Sequence, residues 1–272
     1  MSALIIEAGR TEGQYWRDLW RYRELFFFFA WRDMLVRYKQ TVVGISWSLI
    51  RPLLTMAILT VVFGKFGKMP SGGAPYPLMV FCGMLPWLFF STALMESGNS
   101  LVTNSNMISK IYFPRLTIAA SSVMTSLVDF LISGVFLAIL MFWYRQAPPF
   151  AIILLPAFVM LVFAASLGVG LWIAALMVKY RDFRFIVPFI VQFGLYISPV
   201  GFQSGVVPDK YRFIFALNPM VGIIDGFRWC LLGTTSKYYG SEVTIATVAV
   251  VLLLVSGVWY FRKTERTFAD VI

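Results

Sequence analysis

Apolar residues in this chain run in blocks rather than alternating with polar ones. Six blocks, 43–64, 76–96, 116–143, 150–178, 185–203 and 243–261, are long enough to cross a hydrocarbon core, which takes about 20 mostly apolar residues. The breaks between them are short and turn-rich, as in "GKMPSGGAPYP" (67–77) and "RQAPP" (145–149). The pattern predicts an all-α polytopic membrane protein: one transmembrane domain, 1–272, with a six-span bundle over 43–261. No internal repeat or low-complexity tract interrupts it.

Two stretches fit neither a span nor a loop. In "GQYWRDLWRYRELFFFFAWRDMLVRYKQ" (13–40), a helical repeat puts Trp16, Leu19, Trp20, Phe27, Ala30, Trp31 and Met34 on one face. Arg17, Arg21, Arg32 and Lys39 fall opposite. That is the signature of an amphipathic helix lying in the membrane interface. Arg23 and Arg37 fall near the apolar face, where long side chains reach water by snorkelling.

The second stretch, "VVPDKYRFIFALNPMVGIIDGFRWCLLG" (206–233), is too apolar for an ordinary loop. Pro208, Pro219, Asp225 and Arg228 interrupt it too often for a span. Asn218-Pro219 predicts a turn between two arms, 209–217 and 220–232, each too short to cross. The expectation is a re-entrant helical hairpin between helices 5 and 6, dipping in from the outer face. The alternative is an amphipathic loop lying on the membrane.

Charge sets the orientation. With a cytoplasmic N-terminus, only Lys65, Lys68, Arg145, Lys210, Arg212, Arg228 and Lys237 of the 23 Lys and Arg residues fall outside. The bias places both termini in the cytoplasm. A crossing at 206–233 would strand Arg262, Lys263 and Arg266 outside, which also favours the hairpin. Composition agrees: 59% hydrophobic and only 13% charged residues, with mean hydropathy +0.78, against about 25% charged in soluble domains. The net charge of +10 then reads as basic cytoplasmic loops, and no nucleic-acid partner is expected. The first residues lack the apolar core and cleavage site of a signal peptide.

Several chemistries drop out. There is no histidine, and Cys82 and Cys230 alone make neither a disulfide framework nor a zinc set. "GKFGKMP" is not a phosphate-binding loop, so no ATP binding by that route is expected. Catalytic, metal and cofactor sites are all expected to be absent. Asp129 alone among acids lies mid-span, with Glu96 near a span end. Asp129 reads as structural, hydrogen-bonded to Ser or Thr on a neighbouring helix, with a proton relay as the alternative. "NSLVTNSNMISKIYFPR" (99–115) predicts a short helix parallel to the membrane, and "KYRDFR" (179–184) a compact basic turn. Both are plain cytoplasmic loops or docking elements for a soluble motor.

Aromatic residues make up 17% of the chain. Most belong at the interfacial belt, but flat rings also support the C–H faces of sugars. Trp87, Phe90, Trp143 and Tyr196 are candidate conduit residues on that reading. Arg51, just before Pro52, either snorkels to the interface or lines the lower conduit near a pyrophosphate.

Six segments occur in an order that resembles the permease subunit of type-2 ABC exporters for bacterial surface polysaccharides. They are "RYKQTVVGISWSLIRPLLTMAILTVVFGKF", "YPLMVFCGMLPWLFFSTAL", "NSNMISKIYFPR", "VKYRDFRFIVPFIVQFGLYISPVGF", "FALNPMVGIIDGFRWCLLG" and "RTFADVI". The resemblance covers about residue 15 to the end, and the shared order is more specific than any one segment. It implies a homodimer with a conduit between protomers, two copies of a separate nucleotide-binding protein that holds ATP and Mg, and a bacterial inner-membrane location. Members of the family export O-antigen, capsule or teichoic acid chains, so the substrate would be a lipid-linked polysaccharide, O-antigen above all. The resemblance also implies ATPase contacts at 13–40 and 99–115, with Arg17, Arg21, Asn106, Lys110 and Arg115 as candidates. At the hairpin it implies an outer gate, with Asp209, Arg212, Asn218, Pro219, Asp225 and Arg228 as candidates; Asp225 and Arg228 are spaced to pair on one helical face. A permease for a smaller lipid or drug, a passive channel, an ion-coupled carrier and a membrane-embedded enzyme remain open alternatives.

Overall fold

The computed structural model describes residues 12–39, 44–108, 110, 113–234, 239–265 and 268. Among them the chain is helical, without strands. Two short helices, α1 (Glu12–Arg21) and α2 (Arg23–Tyr38), precede α3 (Gly44–Leu59), which continues as a π-helical segment, Thr60–Phe66. Then come α4 (Tyr76–Thr103), the single turn α5 (Ser105–Ile108), α6 (Leu116–Trp143) and α7 (Leu155–Lys179), the last entered through a 3-10 segment, Phe150–Leu154. The shorter α8 (Phe183–Ile197), α9 (Asp209–Ala216) and α10 (Pro219–Leu232) lead to the long α11 (Tyr239–Glu265).

Among the described residues, five segments are long and apolar enough to cross a membrane: Leu49–Phe66, Tyr76–Thr103, Leu116–Trp143, Phe150–Lys179 and Tyr239–Glu265. The expected span at 185–203 is instead the 15-residue helix α8, followed by an irregular stretch. Pro199 explains the early stop, since the residue before a proline is pushed out of helical geometry; Ser198 is extended at ψ 150°. The chain continues beyond α8 without helix. Val187 packs in the cluster with Leu94, Gly194 backs onto the Trp87 ring, and the Gly201 carbonyl accepts from the Tyr76 hydroxyl at 2.7 Å. Residues 187–201 thus run antiparallel to α4 over the same depth.

Helix α4 is the central post. It is buried along most of its length and contacts α3, α6, α7, α8 and α10. Helix α7 packs against it and against α11. The α7–α11 contact is close enough that a Cβ at Gly257 would lie 2.3 Å from the Gly168 carbonyl oxygen. Small residues at such crossings let backbones touch where lipid offers no hydrophobic drive for helix association. The interface helix also departs from expectation: it breaks at Tyr22 into α1 and α2. Residue 40, and position 43 of the first expected span, lie outside the described residues, as do Lys237 and Arg266.

Candidate functional site: the hairpin and the collar

The bundle has two unlike ends. At one, the 67–75 loop meets the segment around α9 and α10. These helices bend by 98° at Leu217-Asn218. Asn218 makes the turn: its Oδ1 accepts the Met220 N–H at 3.0 Å as an N-cap, Pro219 occupies the first helical position, and its Nδ2 donates to Ser198 Oγ at 3.0 Å. Gly72, in the 67–75 loop, abuts both Gln203 before the hairpin and Thr234 after it. The chain therefore enters and leaves at one end, as a re-entrant hairpin must.

The two arms differ. Helix α10 is buried between α4, α7 and α11, whereas α9 leaves Tyr211, Phe213, Ile214 and Leu217 exposed. Arg228 explains how α10 is held. Only 2% exposed, it donates to the carbonyls of Val200 and Phe202 at 2.9 Å each and to Met79 at 3.4 Å. Val200 and Phe202 lie in the non-helical stretch after α8, where buried carbonyls lack ladder partners and need donors. Asp225, one turn back, sits 3.7 Å from the guanidinium and balances its charge. The expected i,i+3 pair therefore exists, but it is enclosed. Arg212 of α9 donates through Nε and Nη2 to Glu242 Oε1 at 3.1 and 2.9 Å, tying the exposed arm to the start of α11. Asp209 is exposed, 4.0 Å from Arg212.

The other end carries α1, α2, the 104–115 connector and the close of α11. Arg17 and Arg21 are exposed on α1, and Asn106 and Lys110 on the connector. Arg115 is engaged: its backbone N–H donates to Glu265 Oε1 at 2.8 Å and its Nη1 to the Glu265 carbonyl at 2.5 Å. Trp20, Phe27, Phe28 and Trp31 face outward, while Phe29 packs on Phe113 with ring centroids 5.6 Å apart. Arg37 does not snorkel. It bridges Asp129 at 2.5 Å and Glu96, and Tyr38 donates to Asp129 as well. Burial opposes the Arg37 charge, but the two carboxylates outweigh it and hold its pKa above the usual value. The mid-span acid is thus engaged by α2, through Arg37 and Tyr38. The missed signal was the pairing of a base on the apolar face of the interface helix with acids in two spans.

The conduit candidates separate cleanly. Trp87 is buried within the protomer, 5% exposed and seated against Phe90 and Gly194. Phe90 is half-buried, Arg51 is exposed, and Trp143 is 80% exposed at the hairpin end of α6. Tyr196 is exposed and belongs to a row that sequence reading missed. Phe185, Phe189, Phe193 and Tyr196 all point outward along α8, and Phe189 and Phe193 lie 4.3 Å apart. Their near i,i+4 spacing was readable in "FRFIVPFIVQFGLYI".

The sequence profile of the family described as ABC-2 type transporter matches residues 24–232. The O-antigen export system permease protein RfbA of Myxococcus xanthus is 27% identical over 259 residues, covering 94% of this chain and 98% of that protein. A Klebsiella pneumoniae protein of the same description is 26% identical over 242 residues, covering 89% and 92%. The polysialic acid transport protein KpsM of Escherichia coli is 20% identical over 241 residues, covering 86% and 91%.

Proposed function

Because the chain belongs to the ABC-2 type transporter family, we propose that it is the membrane-spanning subunit of an exporter for lipid-linked polysaccharide, most closely of the O-antigen class. The carrying observation is similarity to O-antigen export permeases along nearly the whole length of both partners. A separate nucleotide-binding protein, in two copies and holding ATP and Mg, drives a homodimer of this chain in the bacterial inner membrane. The collar end, with most of the basic residues, faces the cytoplasm. There Arg17, Arg21, Asn106 and Lys110 offer exposed polar contacts to the ATPase.

The aromatic row on α8 supports the glycan reading. Exposed rings along one face give a long polymer contact without register, which a carrier of repeating sugars requires. At the far end α10 is the fixed wall of the exit, and the exposed arm α9 is the part that shapes its mouth. Arg51, exposed on α3, is the candidate to meet a lipid pyrophosphate on this reading. The test is co-expression with a candidate nucleotide-binding partner in a host lacking its own permease. Surface glycan that needs both chains and an intact phosphate loop in the partner is expected. Glycan export without the ATPase would select a channel or an ion-coupled carrier.

A further inference from the structure

The last helix does not simply end at the collar. Glu265 takes the Arg115 backbone N–H on its carboxylate and the Arg115 guanidinium on its carbonyl, at 2.8 and 2.5 Å. Arg115 also lies over the Phe268 ring at 5.8 Å. Phe268 is fully enclosed and packs edge-on against Phe261 at 5.5 Å. One turn earlier, Arg262 lies over the Tyr15 and Trp16 rings of α1 at 4.6 and 5.7 Å. The connector is joined to α2 by Phe113 on Phe29 and by Arg32 donating to Asn104 at 2.9 Å. Four separate stretches, α1, α2, the connector and the close of α11, therefore share one apolar cluster with Leu101, Ile108 and Leu171.

The energetics favour rigid-body behaviour. Arg115 precedes the first residue of α6, so it ties the start of α6 and the end of α11 through one side chain. Two charge-assisted bonds and an enclosed ring resist shear between these helices. We propose that Glu265 and Phe268 are positioning residues for energy coupling: they make the close of α11 part of the collar, so that displacement of the 104–115 connector reaches α11 directly. This rests on the reading of the collar as the ATPase contact. Export would then begin with a joint tilt of α6 and α11, and α11 would carry it through the Glu242–Arg212 bond to the exposed arm of the hairpin.

The test separates coupling from folding. In the reconstituted complex, Glu265→Ala should assemble with the ATPase and hydrolyse ATP at the wild-type level. Glycan exported per ATP should fall at least about fivefold, the lower range of an allosteric coupling term. Glu265→Gln keeps the acceptor for the Arg115 N–H and should restore the ratio. Phe268→Ala should resemble Glu265→Ala. An unchanged ratio in Glu265→Ala overturns the proposal, and so does a loss of assembly parallel to the loss of export. A second measurement needs no transport. Spin labels at Lys110→Cys and Lys263→Cys, in a chain whose own Cys82 and Cys230 are buried, should give one narrow distance that broadens in Glu265→Ala. An equally narrow distance in that variant also overturns the proposal. If the wild-type complex neither pairs with an ATPase nor exports, the exporter reading falls, while the label distances still judge the clasp.

Discussion

Replacing Arg228 with methionine keeps the volume of α10's largest buried side chain and removes every donor it supplies. The carbonyls of Val200 and Phe202 lose this donor, Met79 loses a long supplementary one, and the enclosed Asp225 loses its counter-charge. Each orphaned buried acceptor costs about 1–3 kcal/mol, and an uncompensated buried charge about 3–5 kcal/mol. These costs overlap, because Asp225 can take up a proton instead of staying charged. A net loss of about 3–5 kcal/mol is expected, or roughly 6–10 °C in unfolding midpoint at about 2 °C per kcal/mol. Arg228→Lys should fall between, keeping the charge but losing the planar fork that reaches separate carbonyls. Adding Asp225→Asn to Arg228→Met should recover part of the loss, since it removes the stranded charge. The assay is retention of the monodisperse chromatographic peak after heating in detergent, together with the rate of protease cleavage in 198–208. If Arg228→Met melts like wild type and that stretch stays protected, Arg228 does not hold the hairpin and the rigidity assigned to α10 is wrong.

Arg37→Met should take the bridging cation from Glu96 and Asp129 and lower the yield of inserted protein, by up to about 3 kcal/mol at the mid-span Asp129; adding Asp129→Asn should restore much of it, whereas equal yields in both variants would sever α2 from the bundle. Gly257→Val should separate α7 from α11 at a cost of about 1–3 kcal/mol, seen as a lower midpoint in the same heating assay. Exchanging Arg212 and Glu242 should preserve export better than either single change, which a surface-glycan blot would register. Alanine at both Phe189 and Tyr196 should leave assembly with the ATPase intact and reduce glycan export, with the longest chains most affected.

The helical blocks were readable because burial in lipid demands unbroken apolar runs, and α6 begins and ends where the pattern put it. Helix α4 was read short at residue 96 because polar residues follow, yet it runs to Thr103. Those residues turn their side chains back on their own helix: Asn99 donates to the Met95 carbonyl and Ser100 to that of Ser97. Such local bonds satisfy polar groups without ending a helix, and no hydropathy pattern shows them. The same blindness hid Arg37 with Asp129 and Arg115 with Glu265, where the partners lie 92 and 150 residues apart. The hairpin was legible because its punctuation is local, in Asn218-Pro219. The burial of Asp225 and Arg228 was not, since i,i+3 spacing gives a pair but not the side of the helix that neighbours cover.

The most direct test reconstitutes the chain with its ATPase in sealed vesicles carrying a lipid-linked O-antigen on one leaflet. A glycan-binding probe confined to the opposite side then reports arrival. The exporter reading requires a signal that depends on ATP, on the phosphate loop of the partner and on this chain together. A signal that persists without ATP, or that never appears while ATP is hydrolysed and the complex remains intact, would be incompatible with it.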